Sequence, residues 1–215
     1  MSEKKRFAAA VCIHAALFIL ECIAFWPYPI PRELVYYTQL SNLLELLVSA
    51  VFVTDGILRL RKGETRPHTR VRVLSYAAVC MLTITLLIVI FVLSPMAREK
   101  GGLRFLMLSE GMLYMHFLCP VLALVSFLLF ERTPVLTNKH LLLALLPTLL
   151  YAAVTITLNA LRVMHGPYPF LYVHEQPFYM SCVWFIVVVG GALLITWGLK
   201  KINTALTGIK GSSSL

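Results

Sequence analysis

A stripe of polar side chains in the apolar stretch 34–54 holds the first residues whose types and spacing suit chemistry. Its members lie three, four and seven positions apart: Thr38, Ser41, Asn42 and Glu45. These offsets put all of them on one face of a helix. Facing lipid, such a stripe would be costly, so it should point into a helix bundle. There it either bonds helices together or forms a site, and the stripe by itself leaves both open.

The apolar stretch 111–130 supplies a base. It follows Glu110 and carries His116, with Cys119 three positions later. If 34–54 and 111–130 are helices that enter the membrane from the same side, Thr38 and His116 lie roughly 6–8 Å below that boundary. The two groups can therefore meet at one depth.

Thr38 and His116 suggest nucleophilic catalysis. A threonine hydroxyl is a poor nucleophile until a base takes its proton, and histidine is the side chain best suited to do so near neutral pH. Glu110 or Asn42 could orient the imidazole. Cys119 is a rival nucleophile on the His116 face. The spacing of His, Cys and acidic residues matches no metal motif, and we expect neither a metal nor another cofactor.

The composition indicates what must position these residues. Hydrophobic residues make up 59% of the 215, charged residues only 13%, and the mean hydropathy is +0.82. A soluble domain needs more charge to cover its surface. The apolar residues come in blocks rather than stripes, as in helices that meet lipid or other helices all round. We therefore predict an all-α polytopic membrane protein with one domain over residues 1–206 and a flexible tail over 207–215.

Six blocks are long enough to cross a bilayer, which takes about 20 residues. The predicted spans are about 7–26, 34–54, 72–93, 111–130, 139–160 and 177–199. Thr137-Asn138 is expected to cap the fifth. The first resembles a signal peptide, but its length and Glu21 favour an uncleaved helix.

The positive charges predict the orientation. With the N-terminus inside, 14 Lys and Arg residues lie on the inner side and five on the outer side. The positive-inside rule then places both termini in the cytoplasm, and we expect the protein to lie in the plasma membrane. Because the net charge of +9 lies in short loops beside apolar blocks, it indicates lipid head groups as partners rather than nucleic acid.

Two further groups of polar residues are expected near the stripe. His14 and Glu21 lie seven positions apart in the first span and therefore on one face, from which they could pair with the Glu45 region. The loop Gly166-Pro-Tyr-Pro-Phe170 between spans five and six could cover an outward-facing pocket.

Three short motifs carry a resemblance to a known family. They are Tyr36-Tyr-Thr-Gln-Leu-Ser-Asn-Leu-Leu44, Met115-His-Phe-Leu-Cys-Pro120 and Tyr168-Pro-Phe-Leu171. With the order of the spans, they resemble the six-pass androgen-induced-gene/ADTRP membrane proteins, and more closely the bacterial Pr-six-Pr membrane proteins. Tyr172 stands where the third motif often carries an acidic residue.

The resemblance implies an intramembrane threonine hydrolase that acts on fatty-acid esters of hydroxy fatty acids. Thr38 would be its nucleophile and His116 its base, with Tyr168 in the outer motif. A second six-pass group, the YwaF/TMEM-type acyltransferase-like proteins, is similar through a His and a Cys close together in one span. By that resemblance Cys119 would be the reactive group.

The leading hypothesis is therefore a lipid ester hydrolase. Thr38 attacks, His116 is the general acid and base, and the supporting residues are Ser41, Asn42, Glu45, Glu110, Cys119 and Tyr168. An acyl-chain substrate would enter sideways from the membrane. The alternative is a small transporter or a non-catalytic lipid-binding protein whose polar stripe lines a pathway and depends on Glu21 or Glu45.

Overall fold

Helices account for nearly all of the regular structure. The computed structural model describes residues 1–28, 33–108, 111–131 and 136–207, and these contain no β-strand. The helices are α1 Glu3–Phe25, α2 Tyr37–Arg61, α3 Thr69–Met96, α4 Gly102–Leu108, α5 Tyr114–Phe130, α6 Asn138–Ala160 and α7 Phe178–Leu206. The predicted all-α class is confirmed. Glu110 and the tail from residue 208 lie outside the described residues.

Four helices are long and apolar enough to cross a membrane: α1, α3, α6 and α7. They correspond to the predicted spans one, three, five and six. The helix α5 is apolar but shorter, and α2 has the length, 25 residues, but carries the polar stripe. The crossing of the membrane by these last two helices stays a prediction.

The second helix extends beyond its predicted end at residue 54. It continues to Arg61, because the polar residues that suggested an end are satisfied within the helix. Thr54 donates to the Ala50 carbonyl at 2.8 Å, and Asp55 pairs with Arg59 one turn later at 3.3 Å. At its other end the helix begins at Tyr37, three residues after the predicted start.

The bundle buries many polar side chains beside its hydrophobic core and exposes many large apolar ones, as expected where lipid replaces water. Side chains such as Glu21, Ser41 and Asn42 are fully buried, whereas Phe178 is 83% exposed. The helix α3 lies at the centre of the bundle. Of the residues in its most apolar 18-residue stretch, 61% are buried, compared with 6% in the corresponding stretch of α7. The surface of α7 is therefore available to lipid.

Local sequence explains how several helices begin. Thr137 caps α6 as predicted: its hydroxyl accepts from the His140 N–H, and the His140 ring accepts from the Thr137 N–H. This reciprocal arrangement is a capping box. Ahead of α5, Gly111 has a φ of 66°, and a Cβ there would lie 2.9 Å from the Ala24 carbonyl. Glycine thus allows the chain to enter α5 against the end of α1.

Candidate functional site

Thr38 and His116 line one cavity of about 320 Å³ at the end of the bundle where α2 begins. The other residues of its wall are Glu33, Tyr36, Gln39, Leu93, Phe105, Leu106, Met112 and Tyr168. The structure thus brings together the two residues for which the sequence predicted a common depth. We call this space the outer cavity.

Thr38 is the second residue of α2, where backbone N–H groups have no partner within the helix. The preceding residue, Tyr36, provides no side-chain cap. Instead, the N–H of Thr38 donates to the phenol oxygen of Tyr168 at 3.4 Å. Thr38 therefore sits in the positive field of a helix N-terminus, which favours negative charge developing on a nearby oxygen.

His116 lies in a π-helical turn, Tyr114–Leu118, within α5. Pro120 explains this turn, because it has no N–H to donate to the carbonyl of His116. The Nδ1 of His116 lies 2.7 Å from the Leu106 carbonyl oxygen. A carbonyl only accepts, so Nδ1 carries the hydrogen, and in the neutral ring Nε2 is the basic nitrogen.

The Leu106 carbonyl is available for this bond because it lies in the last turn of α4, where carbonyls lack partners within the helix. The sharp entry to α4 uses left-handed backbone at Gly101 and Gly102, with φ of 100° and 56°. We expected Glu110 or Asn42 to orient the imidazole. Among the described residues the Leu106 carbonyl holds the ring, and the sequence does not single out Leu106 because any residue can present a carbonyl. Glu110 lies outside those residues, and its role stays a prediction.

Asn42 and Ser41 hold the start of α2 and do not line the outer cavity. The amide of Asn42 donates to the Thr38 carbonyl at 2.7 Å and to the Met115 carbonyl at 3.2 Å, so it links α2 to α5. The hydroxyl of Ser41 also donates to the Thr38 carbonyl, at 2.9 Å, and bonds to Thr85 on α3 at 2.9 Å. Both side chains therefore fix Thr38 in place through its backbone.

Glu45 is directed away from the outer cavity. It accepts from Ser49 at 2.7 Å and lies 3.4 Å from the His14 ring. The expected pairing of His14 with the Glu45 region is present, and Glu45 does not orient His116. The predicted stripe thus divides between two places, because a helix face seven residues long is about 10 Å in length.

Cys119 lies in the core beside Glu21, is fully buried, and is not part of the outer cavity wall. The His116 and Cys119 side chains therefore do not share this space, although they lie three positions apart. The position of Cys119 outside the cavity therefore does not favour this residue as the nucleophile. Burial in apolar surroundings disfavours the thiolate that such chemistry needs.

Tyr168 joins the outer cavity to the rest of the 161–176 loop. Its ring stacks on Phe170 at 5.2 Å and contacts Tyr36 edge-on at 6.1 Å. Burial raises the pKa of the Tyr168 phenol, against the opposing effect of its hydrogen bonding to Thr38. The phenol therefore keeps its proton at neutral pH, and the loop supplies part of the wall of the outer cavity through Tyr168.

A narrow apolar channel adjoins the outer cavity. Thr38, Leu93 and Tyr168 belong to the walls of both. The wall of the channel also includes Thr85, Thr148 and Tyr151. A wider cavity of about 600 Å³ lies between α6 and α7 and has five wall residues in common with the channel: Ala152, Phe170, Leu171, Val188 and Val189. This apolar route from Thr38 reaches the helix with the most lipid-exposed surface.

Over residues 1–28, 33–108, 111–131 and 136–207, no group of three or more His, Cys, Asp or Glu side chains is arranged to hold a metal ion. No protein-family model matches the chain, and neither does any curated protein or solved structure. The family resemblance therefore rests on the three motifs and the order of the predicted spans.

Proposed function

We propose that this membrane protein is a lipid ester hydrolase with Thr38 as nucleophile and His116 as general base and acid. One observation carries the proposal: Thr38 lines the same cavity as a histidine whose Nδ1–H is fixed by the Leu106 carbonyl. The ring is thus prepared to accept a proton at Nε2, as a nucleophile–base pair requires.

The chemistry follows from these positions. Thr38 Oγ1 bonds to the ester carbonyl carbon while His116 Nε2 takes the hydroxyl proton. The alcohol then leaves with that proton, and the acyl group stays on Thr38. Water, deprotonated by the same nitrogen, attacks the acyl-threonine, releases the fatty acid and returns the proton to Thr38.

The oxyanion has two nearby sources of stabilisation. One is the positive N-terminus of α2. The other is the Tyr168 phenol, which accepts from the Thr38 N–H and so keeps its own hydrogen for a developing oxyanion. No direct hydrogen bond joins Thr38 to His116 in the described part of the chain; the substrate would bring them to reacting distance.

The substrate class follows from the space on either side of Thr38. A long acyl chain would run along the apolar channel towards α6 and α7, and the alcohol part would lie in the outer cavity. The channel has a volume of only about 40 Å³ and would have to widen around the chain. Fatty-acyl esters, including fatty-acid esters of hydroxy fatty acids, have this form. Their entry would be sideways, between the helices and lipid.

Purified protein incubated with a panel of fatty-acyl esters tests the proposal. We expect Thr38→Ala and His116→Ala each to lower kcat by at least about 100-fold. Thr83→Ala is the matched control, because Thr83 is equally buried but bonds only to the Val79 carbonyl within α3. Full turnover by both site variants would contradict the proposal.

A non-catalytic lipid-binding protein or small transporter is the second candidate. It is favoured by the same apolar channel, which can hold a chain without any reaction. In that case, Thr38→Ala would bind an acyl ligand as tightly as the wild type, and no ester would be cleaved. An acyltransferase that uses Cys119 would instead lose activity in Cys119→Ser and keep it in Thr38→Ala.

We also propose six membrane crossings with both termini in the cytoplasm of a bacterial cell. The support is the placement of Lys and Arg in the sequence and the four helices that meet the length and composition of a span. Reporter domains fused to either terminus should be active only on the inner side. A periplasmic signal from either fusion would contradict this orientation.

A further inference from the structure

A second buried polar cluster lies apart from the outer cavity and joins α1, α2, α3, α7 and the residue that follows α5. Each of its charged or titratable members is 3% exposed or less: His14, Glu21, Glu45, Arg72 and Glu131. None of them lines the outer cavity or the apolar channel. The hydrolase chemistry does not use this cluster.

The hydrogen bonds of His14 require a proton on each of its ring nitrogens. Ser49 gives its only hydrogen to Glu45 at 2.7 Å, so its oxygen accepts from His14 Nδ1 at 3.0 Å. Nε2 lies 3.1 Å from a carboxylate oxygen of Glu131. Two acceptors facing the two nitrogens make the ring an imidazolium with one positive charge.

Glu131 is ionised in this arrangement. Besides His14, its oxygens accept from Ser75 at 2.5 Å, from Ser126 at 2.9 Å and from Arg72 at 3.4 Å. Four donors leave no place for a proton on the carboxyl group. Arg72 also donates to Asn203 at 2.7 Å and lies over the Phe127 ring.

The charges of these four groups cancel. His14 and Arg72 are positive, and Glu131 is negative. Glu45 accepts from Ser49 and faces the imidazolium at 3.4 Å, an arrangement that suits a carboxylate. Glu21 is the remaining carboxyl group. It is fully buried, and neither of its oxygens has a hydrogen-bond partner among the described residues. Its charged and titratable neighbours are the Glu45 carboxylate and the Cys119 thiol. An ionised carboxylate in this place would face a like charge, with only the weak S–H donor of Cys119 beside it.

From this charge balance and the unpartnered buried carboxyl group, we propose that Glu21 is a proton-binding site of the bundle. With this proton Glu21 is neutral, so the net charge of the whole cluster is zero. A sodium ion fits less well, because hard cations take several oxygen ligands and the neighbours of Glu21 are a thiol and one carboxylate.

Infrared spectroscopy of the purified full chain tests this directly. The wild type should show the carbonyl band of a protonated carboxylic acid at neutral pH, and Glu21→Gln should lack it. Glu99→Gln, which changes an exposed carboxylate, should keep the band. Loss of the band in the control, or its persistence in Glu21→Gln, would overturn the proposal.

The pH dependence of Tm gives an independent readout. Tm of the wild type should fall as the pH rises, because the folded chain keeps the proton of Glu21 and that of the His14 imidazolium at pH values where the unfolded chain has lost them. In Glu21→Gln the fall should be smaller, and the variant should fold, since glutamine reproduces the size and neutrality of the protonated side chain. Failure of the variant to fold, an unchanged pH slope, or a rise in Tm specific to sodium over potassium would each overturn the proposal.

Discussion

The Leu106 carbonyl accepts a hydrogen bond of 2.7 Å from Nδ1 of His116. Leu106 belongs to the short helix α4, and His116 to the π-helical turn of α5. The basicity of Nε2 in the outer cavity thus depends on how α4 is held. The first prediction tests this dependence without any change to the cavity itself.

Gly102→Ala should lower hydrolytic activity about tenfold, the equivalent of about 1.4 kcal/mol in the barrier. Gly102 has a φ of 56°, and a Cβ there would lie 3.3 Å from the Ser94 carbonyl, so alanine strains the entry to α4. Gly63→Ala is the control, with a φ of 80° and no atom within 4 Å of the new Cβ. An equal loss of kcat in both variants would mean that general backbone strain is responsible.

Tyr168→Phe should lower both stability and kcat. It removes the acceptor of the Thr38 N–H, at a cost of about 1 kcal/mol for a lost cap, and it removes the proposed oxyanion donor. Because burial raises the pKa of the phenol, the effect should not vary with pH across the neutral range. Tyr172→Phe, in the same loop, should leave both quantities unchanged. Unaltered kcat in Tyr168→Phe would exclude the phenol from the reaction.

Ala152→Phe should discriminate between substrates by chain length. Ala152 lies in the walls of both the narrow channel and the wider cavity, and a phenyl ring there would block the route between them. We expect kcat/KM to fall for long-chain esters and to persist for short-chain esters. Leu142→Phe, at a 64% exposed position of the same helix, should affect neither. Equal losses for all chain lengths would place the acyl chain elsewhere.

Glu131→Gln should destabilise the protein by about 3–5 kcal/mol, because it leaves buried charges without their partner. Arg72 and the His14 imidazolium both depend on this carboxylate. The comparison is Glu64→Gln, whose side chain is 43% exposed and pairs with Arg59; such surface pairs contribute about 0–1 kcal/mol. Chemical denaturation in detergent measures both. Similar losses of stability in the two variants would show that the buried network contributes no more to the free energy of unfolding than a surface ion pair does.

The sequence alone determined the helical class, the spans α1, α3, α6 and α7, the cap at Thr137 and the shared helix face of the polar stripe. These features are local: they depend on apolar length, on the 3.6-residue period and on capping residues a few positions away. The predicted ends of α2 and α7 were each seven residues too early, because polar residues that are satisfied within a helix, such as Thr54 and Thr204, resemble a boundary.

The tertiary structure decided how that stripe is used. It directs Thr38 to the outer cavity and Glu45 to His14, supplies His116 with a backbone carbonyl from Leu106, and caps α2 with Tyr168 from a loop 130 positions away in the sequence. Each of these outcomes depends on how helices are rotated and paired. That choice is a property of long-range packing and not of any single segment.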